Sequence, residues 1–338
     1  MKVIEAINVN DAYVKGLSLL QDEGVRESSR AGDVIVMGSP VTTVYEKSYQ
    51  RVLFNEKRDA NPFFHLMESV WMLAGSNNGK WLDRYVSDFS SRYAEEDGKI
   101  NGAYGYRWRN HFDTDQLITI GNMLLKDPTT RRAVLAMWDP QTDLGADVKD
   151  MPCNTHIYFR VRKSGYINYL DMTVCCRSND AIWGAYGANA VHMSVLQEVM
   201  AGLAECRVGW YYQISNNFHA YADVFKKFKP DIIPTFGLYP YQTITPKQIC
   251  SNSHEAFNIL RDSSYFCHIR NFYAMNPAPL FKAEFRTEWF TTVVGPMHIV
   301  HTLWKNGDKK EALEMTRHIE SADWQVAVVN WMTRRINK

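Results

Sequence analysis

The chain has 338 residues, 46% of them hydrophobic and 22% charged, with a formal net charge of +1. Those fractions belong to an ordinary globular protein, large enough for one big core or two smaller ones. The near-neutral balance excludes bulk polyanion binding, so no nucleic-acid partner is indicated and any phosphate must be gripped by a few placed arginines. Six cysteines occur without a Cys-x-x-Cys pair, which argues against a structural zinc site and a disulfide framework, and no metal is expected. Met1–Ala6 has no apolar leader and no apolar run reaches membrane-spanning length, so a soluble, cytoplasmic protein is expected with no membrane partner.

In chain order, residues 10–22 have helical spacing and end near Gly24, and Val34-Ile-Val-Met37 is a short strand. Pro62 opens an apolar-periodic helix, Phe63 to Leu73, stopped by Gly75-Ser-Asn-Asn78. A helix over Asp115 to Lys126 halts at Asp127-Pro128. Strands follow at Ala133–Trp138, Thr155–Val161 and Tyr166–Cys176, the last entered through a Lys163-Ser-Gly165 turn. Asn189 to Gly202 reads as a buried helix and Trp210–Ile214 as another strand. Beyond Thr245-Pro246 the pattern is helical, with Lys309–His318 and Ala322–Arg335 amphipathic. Strands and helices mix without strict alternation, which favours α+β.

The chemistry centres on Asp150-Met-Pro-Cys-Asn-Thr155 and Arg177-Ser-Asn-Asp180. Pro152 biases Met151 to extended geometry and keeps Cys153 at the mouth of the next strand. A guanidinium lowers a thiol's pKa and grips phosphate, so Cys153 with Arg177 can supply a nucleophile and an anion site together. Glu68 sits on an apolar helical face, where a carboxylate is costly unless used or paired. Arg131 and Arg132 are adjacent, and His219 and Tyr221 are two apart on an extended segment and face the same side.

Several motifs share one order: Glu68-Ser-Val-Trp-Met-Leu-Ala-Gly75, Tyr104-Gly-Tyr-Arg-Trp-Arg109, Asp127-Pro-Thr-Thr-Arg-Arg132, Pro152-Cys153, Arg177-Ser-Asn-Asp180 and Asn217-Phe-His-Ala-Tyr221. Together they resemble the thymidylate synthase and pyrimidine-nucleotide hydroxymethylase superfamily, over roughly residues 24 to 225. The resemblance implies a thymidylate synthase-like fold, a mixed sheet packed by helices. Residues 1–244 would form the catalytic domain and 245–338 a helical C-terminal extension packed on it. It implies 5,10-methylenetetrahydrofolate as co-substrate and a homodimer in which Arg131 and Arg132 reach the partner's phosphate.

By resemblance Cys153 adds to carbon 6 of the pyrimidine and makes carbon 5 nucleophilic. Glu68 moves protons through water, and Arg177, Ser178 and Arg30 bind the nucleotide phosphate. His219 and Tyr221 hold the ribose 3′-hydroxyl, Asn189 reads the base, and Trp71, Tyr93 and Asp180 meet the folate, the last two also taking part in catalysis.

Two activities follow the same early steps. A synthase reduces the exocyclic methylene with hydride from folate, whereas a hydroxymethylase lets water add. Three features favour the hydroxymethylase. Tyr93 stands where synthases usually carry Trp, with Gly98-Lys-Ile-Asn101 after it; Asn154 follows the nucleophile in place of His; and the short apolar C-terminus of a synthase is replaced by Asn330-Trp-Met-Thr-Arg-Arg-Ile-Asn-Lys338. Thymidylate synthase is the alternative, and a catalytically silent nucleotide-binding or scaffold protein the rival from another class. An Asn donates and accepts, which suits uracil. Counting from Gly184 puts Ala188 at the base-reading position, and one extra residue in Ala185-Tyr-Gly-Ala188 brings Asn189 there. The expected substrate is dUMP, with dCMP or a ribonucleotide left open.

Overall fold

A computed structural model describes residues 1–228, 240–268 and 285–336. Parts of both expected units, residues 229–239 within 1–244 and residues 269–284 and 337–338 within 245–338, lie outside the described residues.

The strands are β1 (Lys2–Ala6), β2 (Val25–Ser29), β3 (Gly32–Val36), β4 (Val41–Tyr45), β5 (Val134–Ala136), β6 (Asn154–Ser164), β7 (Ile167–Cys176), β8 (Asn179–Asp180), β9 (Arg207–Ser215) and β10 (Phe218–Tyr221). A six-stranded sheet runs β1-β4-β9-β7-β6-β5, and a smaller one β2-β3-β10-β8. In the larger sheet β1–β4 and β7–β9 are parallel and the other pairings antiparallel, so the sheet is mixed, as the α+β reading expects.

The helices are α1 (Val9–Glu23), α2 (Pro62–Leu73), α3 (Phe89–Tyr93), α4 (Tyr104–Arg109), α5 (Gln116–Lys126), α6 (Pro140–Asp143), α7 (Asn189–Leu203), α8 (Ala222–Phe228), α9 (Ser253–His268), α10 (Gly295–Asn306), α11 (Lys309–Met315) and α12 (Ala322–Ile336). The long ones start where the sequence offers a cap. Asn8, Asn61 and Asp115 each accept a backbone N–H of the first turn, and Pro62 occupies the first turn of α2.

Every residue of α7 is buried, so each polar side chain on it must find a partner or a use. Gln197 donates to the Leu170 and Gly209 carbonyls at 3.0 and 3.2 Å. Glu198 takes Arg51 and the Ile249 N–H. Ser194 donates to the Val191 carbonyl at 2.9 Å, which leaves Asn189 and His192 at the other end of the helix.

The C-terminal helices pack on the same core. Tyr241 donates to Asp323 of α12 at 3.0 Å and accepts the Val52 N–H at 2.9 Å. Phe63 of α2 meets Trp331 edge-on at 5.6 Å. Arg334 and Arg335, also on α12, converge on Asp59 at 2.7–3.1 Å, and Asp59 holds a left-handed φ of 47°. Charge-assisted bonds that hold a strained residue make this clamp costly to cut. Asp59→Ala is expected to lower unfolding free energy by about 1–3 kcal/mol, read from the midpoint of a urea titration. An unchanged midpoint rejects the clamp.

Candidate active site

Between α2, α3, α4 and α7 lies a cavity of about 720 Å³, lined among others by Glu68, Trp71, Tyr93, Tyr104, Asp150, Cys153, Ser178, Asp180, Asn189 and His192. Gly105 allows this convergence: a Cβ there would sit 2.0 Å from the Met72 carbonyl oxygen, so only glycine lets α4 lie against α2. Arg107 then locks α4 in place, with its guanidinium on both Asp143 oxygens (2.5 and 2.7 Å) and on the Met137 carbonyl (2.7 Å).

Cys153 enters the cavity at the start of β6. The Tyr104 hydroxyl accepts the backbone N–H groups of Cys153 and Asn154 at 3.2 and 3.3 Å, which fixes the turn that presents the thiol. Arg177 approaches as expected, its Nη2 3.9 Å from Sγ, while Nε and Nη2 also hold the Pro152 and Met151 carbonyls at 2.9 and 3.2 Å. The expected fall in thiol pKa is not found. Burial pushes the Cys153 thiol above its ordinary value, Arg177 only partly offsets it, and Asp150 adds to it. Asp150 is itself lifted to about 6, first by burial and then by the charge of Glu68.

A buried chain of amides runs behind the thiol. Gln213 Nε2 donates to the Tyr211 hydroxyl at 2.7 Å and to the Ala185 carbonyl at 3.4 Å. A carbonyl can only accept, so the orientation of Gln213 is set. Its oxygen accepts Asn179 Nδ2 at 2.9 Å, Asn179 Oδ1 accepts Asn189 Nδ2 at 3.1 Å, and Asn189 Oδ1 accepts Asn154 Nδ2 at 3.2 Å. The Cys176 thiol closes the chain on Asn154 Oδ1 at 2.8 Å. One N–H and one lone pair of Asn189 remain for a ligand. A π-helical turn over Ala181–Ala188 leads into α7, its last N–H, from Asn189, reaching back to the Gly184 carbonyl. Gly184 is needed there, since a Cβ would lie 2.7 Å from Asn179 Oδ1.

Asp180 caps that turn with one oxygen, on the Ile182 and Trp183 N–H groups, and leaves Oδ2 buried without a hydrogen bond. Burial raises its pKa. Trp71 spends its indole N–H on the Asn78 carbonyl at 3.1 Å and shows its ring to the cavity. Tyr93, 41% exposed, tilts against Phe89 at 4.9 Å at the mouth.

A sequence model of the thymidylate synthase family matches residues 11–261. The chain belongs to that family. Among its relatives, a protein of Pseudomonas phage M6 named deoxyuridylate hydroxymethyltransferase is 41% identical over 341 residues, 99% of this chain and 95% of that protein. One of the same name from Bacillus phage SP01 is 34% identical over 59% of this chain and 54% of its own length. A putative thymidylate synthase of Methanosarcina barkeri is 28% identical over 65% of this chain and 89% of its own. Thymidylate synthase-family enzymes transfer one carbon from methylenetetrahydrofolate, and this enzyme does so to a pyrimidine nucleotide. None of its described helices is long and apolar enough to cross a membrane.

The remaining residues suggested by the family resemblance do not line the cavity. His219 and Tyr221 share one side of β10, where His219 pairs with Asp180 of β8 and their rings meet edge-on at 5.7 Å. Arg30 sits at the β2–β3 turn, close enough for its charge to act on Tyr221. Arg131 and Arg132 are exposed on the loop before β5. Among the lining residues given no role from the sequence are Asp150, Tyr104, His192 and Arg58, which lies over the Trp183 ring at 4.0 Å and whose pKa burial lowers to about 10.

The thiol's environment gives a direct expectation. In the ligand-free enzyme, alkylation of Cys153 by iodoacetamide should rise with pH through a midpoint above that of an ordinary thiol. Arg177→Leu should move it further up, slowing alkylation at neutral pH by roughly threefold to tenfold, and Asp150→Asn should move it down. Mass spectrometry of the Cys153 peptide follows the rate; equal midpoints in all three proteins would contradict the assignment.

Proposed function

We propose that this enzyme hydroxymethylates carbon 5 of dUMP, with 5,10-methylenetetrahydrofolate as one-carbon donor and water as the final nucleophile. The 41% identity along 99% of the chain to the phage M6 deoxyuridylate hydroxymethyltransferase carries the reading. The free donor and acceptor of Asn189 support it, since uracil offers O4 and N3–H to such a pair.

Cys153 adds to carbon 6 and leaves at the end, and Glu68 removes the carbon 5 proton through water. Arg177 and Ser178 hold the 5′-phosphate with Arg30 closing over it, and His219 with Tyr221 holds the 3′-hydroxyl. Trp71, Tyr93 and the free oxygen of Asp180 hold the folate, which supplies the electrophilic carbon. Tyr93 at the mouth presents a hydroxyl beside which a water fits.

The enzyme is proposed to work in the cytoplasm, which suits its six unpaired cysteines. It is proposed to act as a homodimer, with Arg131 and Arg132 in the partner's phosphate site. Their exposure outside their own cavity supports this, as do the exposed Tyr158 and Trp210 on the large sheet. A monomer in sedimentation would remove that part. Residues 245–338 are proposed as an extension that buttresses the folate side of the cavity through Asp59.

The reading is tested by incubating dUMP with methylenetetrahydrofolate and following dihydrofolate absorbance and the product mass. Hydroxymethyl-dUMP with no dihydrofolate is expected. Stoichiometric dTMP with dihydrofolate would establish a synthase instead.

A further inference from the structure

Glu68 and His192 face each other across the cavity wall, from α2 and α7, with Oε2 and Nε2 3.1 Å apart. Neither atom has an aligned hydrogen bond, and both are fully buried from solvent. His192 is 3% exposed yet lines the cavity. Two adjacent orphan poles in a buried wall are costly unless something on the cavity side completes them.

A carboxylate oxygen so close disfavours a bare Nε2 lone pair and favours the Nε2–H tautomer. The pair then offers one acceptor and one donor, side by side and both turned from each other's axis. A single water on the cavity side satisfies both. His192 lies three residues after Asn189 on α7, so the two share a helical face and the water sits on the side where Asn189 holds the base. The remaining near neighbours are His65, edge-on to His192 at 6.4 Å with a ring that burial keeps neutral, and Asp150, whose carboxyl feels the charge of Glu68 and is lifted to about 6.

We infer that Glu68 and His192 together hold the water that adds to the exocyclic methylene, with His192 as its positioning residue. The inference rests on the hydroxymethylase reading above. In the step, the water oxygen bonds to the methylene carbon and a water proton passes to Glu68. The electron pair of the C5=CH2 bond moves through carbon 5 toward O4, then returns to form C5=C6 as the Cys153 thiolate leaves carbon 6. No oxidant or reductant is needed.

The test uses dUMP labelled with tritium at carbon 5 and the full-length enzyme, comparing tritium release with hydroxymethyl product. Release reports every step up to loss of the carbon 5 proton, and also that the variant is folded. His192→Phe removes the donor and keeps bulk; His192→Gln keeps a donor. The expected result for His192→Phe is a near-normal single-turnover burst of release, with product formed about 10²-fold more slowly. An added thiol should then trap the methylene as a thioether, and His192→Gln should restore most of the product. Release and product falling together in both variants would make His192 merely structural, and unchanged product in His192→Phe would overturn the proposal outright. Wild-type enzyme that makes dTMP would instead remove the hydroxymethylase reading, and this inference with it, through a result visible before any variant is made.

Discussion

Cys153→Ala should abolish turnover, lowering kcat on the order of 10⁴-fold or more, while dUMP still binds. Among the described lining residues there is no second thiol to take over. Cys176 is buried and turned onto Asn154, and burial lifts its thiol well above the ordinary range. Nucleotide binding survives because Arg177 is held by the Pro152 and Met151 carbonyls rather than by the thiol. The fold survives because alanine fills most of the half-buried site. Product formation by chromatography and dUMP affinity by calorimetry check both halves. Activity above a tenth of wild type would exclude covalent catalysis through this residue.

A raised thiol pKa in the free enzyme bears on this mechanism. Most of the thiol is protonated near neutral pH, so thiolate must form as nucleotide binds. In the proposed complex the phosphate would engage Arg177 and Ser178, and Asp150, lifted to about 6, takes up a proton beside it. The sequence reading placed Arg177 beside the thiol, where its charge does lower the pKa, and did not foresee the burial that outweighs it. Proximity is legible in a motif, whereas the burial that outweighs the guanidinium depends on how α4 and β6 close over the site.

The same boundary runs through the fold. α1, α2 and α5 were legible because apolar spacing and a capping Asn or Asp coincide, and α7 through its length and apolar periodicity alone. β2, Val-Arg-Glu-Ser-Ser, was not, because every residue is exposed and it exists only through pairing with β3. β4 was missed because it is buried on nearly every residue and lacks alternation. His192 was missed because, between Val191 and Met193, a histidine reads as core. Its use becomes visible only when α2 brings Glu68 opposite. The amide chain joins residues from β6, β8, β9 and α7, and no local pattern signals that.

That chain underlies the second large effect. An asparagine alone cannot choose uracil, because turning its amide over exchanges donor and acceptor and reads cytosine equally well. The choice belongs to whatever stops the turn. Here the Ala185 carbonyl orients Gln213, Gln213 orients Asn179, and Asn179 with Asn154 orients Asn189. Asn189→Asp removes the N–H proposed to meet uracil O4 and offers an acceptor to the cytosine amino group. The ratio of kcat/KM for dUMP over dCMP should fall on the order of 10²–10⁴-fold, read by competing the two nucleotides in one reaction. Asn179→Ala keeps the neutral amide of Asn189 but cuts the chain. It should relax the same ratio, with loss of dUMP preference exceeding loss of total turnover. If Asn179→Ala keeps the full dUMP preference, the amide is oriented by the ligand rather than by the protein, and the buried chain serves only to satisfy its own polar groups.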